Sequence, residues 1–162
     1  DIIAQAHAAG QTQELRMPLT LLVMLFERYN AAHIEDIDLE EQETLVALYE
    51  QARPVAKALE DAVLITGLCR AMALALNTLG NHHATADNHE AAIATYTKAL
   101  EQSPEIAMLY RNRAGEYIEL GQLAAAQTDI EAAQRLEPDA ERLSELLDEL
   151  EKAQNDQEKP DA

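Results

Sequence analysis

Apolar residues recur at helical spacing along most of the chain, and in its second half the same arrangement appears twice. Laying residues 73–106 over 107–140 pairs Ala92 with Ala126, Tyr96 with Ile130, Ala99 with Ala133 and Pro104 with Pro138, all at one constant offset. Within each span an apolar-periodic run meets a short polar break, Asp87-Asn88 in one and Gly121-Gln122 in the other. A second run follows and is closed by Pro. A period of about 34 residues, carried by two helical runs, predicts a repeated helix hairpin.

The individual positions suit stacked hairpins. Ala92 and Ala126 leave room for one helix backbone to approach another. Ser103-Pro104 and Glu137-Pro138 stop the second helix, because the residue before Pro is pushed out of the α region. Gly121, just after Leu120, is free to take the left-handed conformation that ends a helix.

Extended backwards, the register predicts a degenerate unit over 39–72. Leu45, Tyr49 and Ala58 there stand one repeat before Leu79, His83 and Ala92. Its closing Pro is missing; the expected turn is Thr66-Gly67, with Pro54 starting the unit's second helix. Forwards, 141–153 reads as a capping helix with Leu143, Leu146, Leu147 and Leu150 on one side and acids on the other. Residues 1–38 are expected to supply an N-terminal helix packed on the array, and 154–162 a disordered tail.

These residues resemble the tetratricopeptide repeat family, whose units place a large apolar residue, Leu-Gly, Tyr, Gly, Ala, an aromatic, Ala and Pro at set positions. The first full unit supplies Leu76, Leu79, Gly80, Ala92, Tyr96, Ala99 and Pro104, with His83 where Tyr is usual and Asp87 where Gly is usual. The second supplies Tyr110, Tyr117, Gly121, Ala126, Ile130, Ala133 and Pro138, with Arg113 and Ala114 in place of Leu-Gly. The resemblance implies an all-α fold of antiparallel helix-hairpin repeats stacked as a short right-handed superhelix.

Stacked repeats line a concave face with the first helix of each unit. In this register that face presents Asn77, Thr78, Asn81, Thr85, Met108, Arg111, Asn112 and Glu119. Of these, Asn77, Asn81, Met108, Arg111, Asn112 and Glu119 form the candidate peptide-binding groove. Asn offers both donor and acceptor to an extended peptide backbone, and Arg111 suits a carboxylate. Some family members grip the acidic C-terminus of chaperones with Lys, Asn, Asn, Lys and Arg. The matching places here carry Asn77, Asn81, Asn112, Arg142 and Leu146, so two of the three basic places are lost.

Charge changes the expected partner. Thirty acidic against 12 basic residues give a formal net charge of -18, a field that repels phosphate backbones and anionic lipid headgroups. Nucleic acid is disfavoured, and a neutral or basic protein segment is favoured over an acidic one. The apolar run from 17 to 26 falls short of the roughly 20 residues a spanning helix needs, and Arg70 interrupts the next apolar region, so no membrane insertion is expected. The single cysteine, Cys69, reads as a buried thiol in a reducing, cytoplasmic setting.

Candidate chemistry is sparse. His82, His83, Asp87 and His89 put four metal-ligand side chains close together in sequence, but the register makes His83 a packed residue and places Asp87 and His89 about a turn. Convergence on a metal is not expected, and no phosphate loop, nucleophile elbow or paired-Cys motif occurs. The sequence reads as a non-catalytic scaffold or adaptor domain without a cofactor that binds a peptide or protein segment. The alternatives are self-association through residues 19–26 or an uncapped array end, giving a homo-oligomer, and a regulatory domain of a larger protein.

Overall fold

The computed structural model describes residues 39–158, together with Met17, Thr20 and Leu21, three positions in helical conformation. The rest of the expected N-terminal segment, including most of 19–26, lies outside the described residues. Among the described residues the elements are six α-helices: α1 Leu39–Ala58, α2 Ala62–Thr85, α3 His89–Gln102, α4 Ala107–Glu119, α5 Leu123–Leu136 and α6 Glu141–Glu158. The chain divides into two compact units, 1–78 and 79–162, with the boundary inside α2.

In the first unit, α1 buries Tyr49, Ala52, Val55 and Ala56, and α2 buries Leu64, Leu68, Ala71, Met72 and Ala75. Both sets recur every three or four places and so define one face of each helix. Two expectations fail here. No turn forms at Thr66-Gly67, which lies inside α2, and Pro54 does not start a helix but sits within α1 with its ring exposed.

The break falls instead at 59–61. Glu60 takes a positive φ of 54°, and Asp61 Oδ1 accepts the Leu64 N–H at 3.1 Å, capping the first turn of α2. An Asp cap outweighs the cost of a glycine inside the helix, about 1 kcal/mol. Helix α2 therefore runs unbroken through the expected unit boundary between 72 and 73.

By length and composition, α2 is also the one helix among the described residues long and apolar enough to cross a membrane, with a mean hydropathy of 1.6 over its best window. Arg70 alone does not bring the window below that level. Half of the window is buried inside the protein, as in a helix that serves a core. Cys69, expected to be buried, is half-exposed on it.

In the second unit, the antiparallel hairpins can be read from side-chain partners. Tyr96 meets Gly80 and Asn81 across a turn at 86–88, and Arg113 meets Asp129 across a turn at 120–122. Both turns share one hydrogen-bond pattern. Asn88 N–H donates to His83 C=O and Asp87 N–H to Ala84 C=O; one repeat further on, Gln122 N–H donates to Tyr117 C=O and Gly121 N–H to Ile118 C=O. This is the Schellman pattern, whose penultimate residue must be left-handed. Asp87 has φ 55° and Gly121 φ 67°, so the expected role of Gly121 holds and Asp87 takes the same conformation with a side chain.

Helices α3 and α5 stop at Gln102 and Leu136, immediately before Ser103-Pro104 and Glu137-Pro138, as the sequence requires. Ala92, Ala99, Ala126 and Ala133 are fully buried. Helix α4 packs against α3, α5 and α6. One cluster joins Ala114, Leu123, Ala126, Ile130, Ala133, Leu143, Leu146 and Leu150, with Tyr110 and Tyr117 against it. Helix α6 extends to Glu158, so 154–158 is helical rather than part of a disordered tail.

Candidate functional site

The side chains of α4 are positioned by the hairpin contacts just described. Gly80 is the tightest. A Cβ there would lie 2.7 Å from Tyr96 Cδ1 and 2.9 Å from its Cζ, so only glycine lets the Tyr96 ring approach α2 this closely. The corresponding pair in the next hairpin is Ala114 and Ile130, where the smaller aliphatic side chain leaves space for a methyl group.

Tyr96 is 2% exposed, and its hydroxyl donates to Asn81 Oδ1 at 2.6 Å. Burial, then the nearby Glu116 carboxylate, raise the phenol well above its ordinary range, so it remains a donor. Asn112 Nδ2 donates to the same Asn81 oxygen at 3.3 Å. With that oxygen accepting twice, the Asn81 amide is oriented and its Nδ2 hydrogens are left for another acceptor.

Arg111 donates to Glu137 Oε2 at 2.7 Å, with the arginine side chain 14% exposed. Its charge is matched by its own hairpin before any ligand arrives. Met108 is half-buried and Glu119 exposed on α4. Asn77 and Thr78, 6% and 4% exposed, are buried and fall in the first unit, whereas Thr85 is exposed at the end of α2. The structure thus brings Asn81 together with Asn112.

Of the chaperone-clamp places, Leu146 is fully buried and Arg142 is held by Glu145 and Glu149 at 2.8 and 3.2 Å. Those hydrogen bonds, with Glu145 foremost, keep the Arg142 guanidinium more firmly protonated than usual. Two neighbouring carboxylates nonetheless offset the charge that an acidic ligand would seek.

The histidine-rich stretch resolves into separate roles. Among the described residues no group of three or more His, Cys, Asp and Glu side chains converges where a metal could be held. His89, placed about the turn by the register, is half-buried, with Nδ1 2.7 Å from Glu116 Oε2. A partner on the following helix was not legible from the local pattern.

Sequence reasoning also missed the role of Arg113. In the sequence it is only an Arg at a place where the family has leucine. The guanidinium makes two hydrogen bonds to Asp129, at 2.7 and 2.8 Å, and a third to Thr97 Oγ1 at 2.9 Å. It lies 5.9 and 5.7 Å from the ring centroids of Tyr110 and Tyr117. The Asp129 hydrogen bond raises its pKa further. The available signal was Asp129 itself, a charge on the buried stripe of α5.

The geometry defines a class of protein: a tandem helix-hairpin array with matching turns and matching small-residue contacts at one fixed interval. No family model matches the chain. It is 30% identical over 125 residues to the human small glutamine-rich tetratricopeptide repeat-containing protein alpha, a match covering 72% of this chain and 39% of that protein. At the general level of the family, the chain is a tetratricopeptide-repeat protein.

Proposed function

We propose that the chain is a non-catalytic interaction domain of a cytoplasmic protein, and that the partly exposed face around Asn81, Met108, Arg111, Asn112 and Glu119 binds an extended protein segment. The observation that carries this reading is the Tyr96–Asn81–Asn112 hydrogen-bond chain. A buried phenol orients a half-exposed amide so that its donors remain available, an arrangement suited to a backbone carbonyl of a bound peptide. Membership of a repeat family built from such hairpins supports a protein partner.

The partner is neutral or basic. Arg111 and Arg142 are already matched by carboxylates, and the net charge of -18 repels an acidic segment. Selecting peptides from a random display library and measuring their affinity tests the reading. Asn112→Ala is expected to weaken selected peptides about tenfold, the effect of losing one or two hydrogen bonds. Glu119→Lys is expected to weaken basic peptides selectively. Peptides that bind both variants as tightly as the parent would place their site elsewhere.

A further inference from the structure

The interface between α3 and α4 differs chemically from the next interface in the array. His89 is the first residue of α3, and its Nδ1 lies 2.7 Å from Glu116 Oε2 on α4, with the two side chains 24% and 14% exposed. One repeat further on, the same two positions are Leu123 and Leu150. Both of those are buried, at 9% and 3% exposure, in the cluster that joins α4, α5 and α6. Equivalent positions thus hold an apolar pair at one joint and an ionisable pair at the other.

From this juxtaposition we propose that the His89–Glu116 pair is a proton-dependent lock on the joint between α3 and α4. It is closed by a charged hydrogen bond when His89 is protonated and loosened when the proton leaves. Neutral imidazole keeps at most a weaker N–H···carboxylate bond. In its other tautomer it turns a lone pair toward the carboxylate.

The groups that face His89 act in one direction. Glu116 and Glu119 on α4 and Asp87 in the preceding turn all favour the imidazolium, the Glu116 hydrogen bond most strongly, while partial burial opposes it. The same Glu116 charge reaches the Tyr96 hydroxyl, which does not ionise over the relevant range. The pair is also not the only tie across the joint. Arg113 Nη1 to Thr97 Oγ1 at 2.9 Å remains, so deprotonation loosens the contact without separating the helices.

The sign follows from the direction of the shift. A histidine pKa raised in the folded state stabilises the closed joint fully below the ordinary value of 6.5, and that contribution is lost as pH climbs through the raised value. The lock is therefore stronger at pH 6 than at pH 8, and the joint titrates whether or not a partner occupies the neighbouring face.

Amide hydrogen exchange on the full chain, corrected for intrinsic rates, reads the effect between pH 6 and 8. Protection of the amides at 92–94 and 116–119 is expected to fall about two- to fivefold over that range, the scale of a partly exposed ion pair. The double variant His89→Leu/Glu116→Leu, which copies the apolar joint, should give a flat profile. His89→Gln retains a donor without a titrating group and should be flat at the level the parent reaches at high pH. A parent profile that does not change with pH overturns the proposal. So does one whose slope persists in His89→Gln.

Discussion

Replacing Arg113 and Asp129 with their counterparts from the preceding hairpin probes how the second unit is held together. Positions 113 and 129 correspond, one repeat earlier, to Leu79 and Thr95. The Arg113 and Asp129 side chains are 16% and 5% exposed and share two hydrogen bonds. Arg113→Leu leaves the nearly buried carboxylate without its cation and is expected to cost about 3–5 kcal/mol. Asp129→Thr leaves the guanidinium bonded only to Thr97 and in partial reach of water, so its cost is expected at the lower end, about 2–3 kcal/mol. The double variant removes both charges, and Leu packs against Tyr110 and Tyr117, so its stability should lie within about 1 kcal/mol of the parent. The singles then sum to about 5–8 kcal/mol against about 1 for the pair, a coupling of about 4 kcal/mol or more. Urea unfolding at pH 7 measures all four forms, and heating should show the single variants melting roughly 10 °C or more below the parent. If the two single costs simply add in the double variant, the ion pair is not the organising contact inferred from its geometry.

Further predictions concern packing and turns. Gly80→Ala drives a methyl group into the Tyr96 ring and is expected to destabilise by about 1–3 kcal/mol, whereas Gly80→Ala combined with Tyr96→Ile, copying Ala114 and Ile130, should recover most of that loss in the same urea experiment. Gly121→Ala, at φ 67° and with Gln157 Nε2 3.1 Å from the new Cβ, should cost about 1–2 kcal/mol, while Asp87→Gly at the matching position should be neutral within about 0.5 kcal/mol. Leu146→Ala, in the fully buried position, should lower stability by about 2–5 kcal/mol. Leu147→Gln, at a residue 41% exposed, should change it by less than about 0.5 kcal/mol.

The hairpins were legible because each rests on several local signals that agree. At 103–104 and 137–138, Pro enforces a stop that no tertiary contact needs to supply. At Gly121 the required φ is one glycine accepts freely. The first unit was harder, since the register pointed to a break at Thr66-Gly67, whereas Asp61 caps a helix that starts at Ala62. A helix interior tolerates one glycine, and the cap won. The candidate face was partly legible. Asn81 and Asn112 were singled out together and are hydrogen-bonded to each other, whereas Asn77 is buried in the first unit. The Arg111–Glu137 and His89–Glu116 pairs each join residues far apart in sequence, on different elements. Such pairs depend on how one helix meets another, which periodicity alone does not specify.

The two hairpins differ at several places, and the differences come as pairs. Gly80 with Tyr96 becomes Ala114 with Ile130, Leu79 with Thr95 becomes Arg113 with Asp129, and His89 with Glu116 becomes Leu123 with Leu150. What persists from one repeat to the next is therefore a pair of register positions, filled by different chemistry each time. The same register explains α6. Leu143, Leu146 and Leu150 are buried against the preceding hairpin, but Leu147 and Asp148 occupy the places of Arg113 and Ala114, which in the preceding hairpin face α5. Asp148 is exposed where a following helix would demand Gly or Ala, since a carboxylate at a close helix contact would be buried without a partner. Helix α6 thus carries the apolar half of a repeat contact toward the array and a charged surface away from it. Asp148→Ala should leave stability within about 0.5 kcal/mol of the parent, as expected for a solvated position, while Ala114→Asp at the equivalent buried site should unfold the second unit.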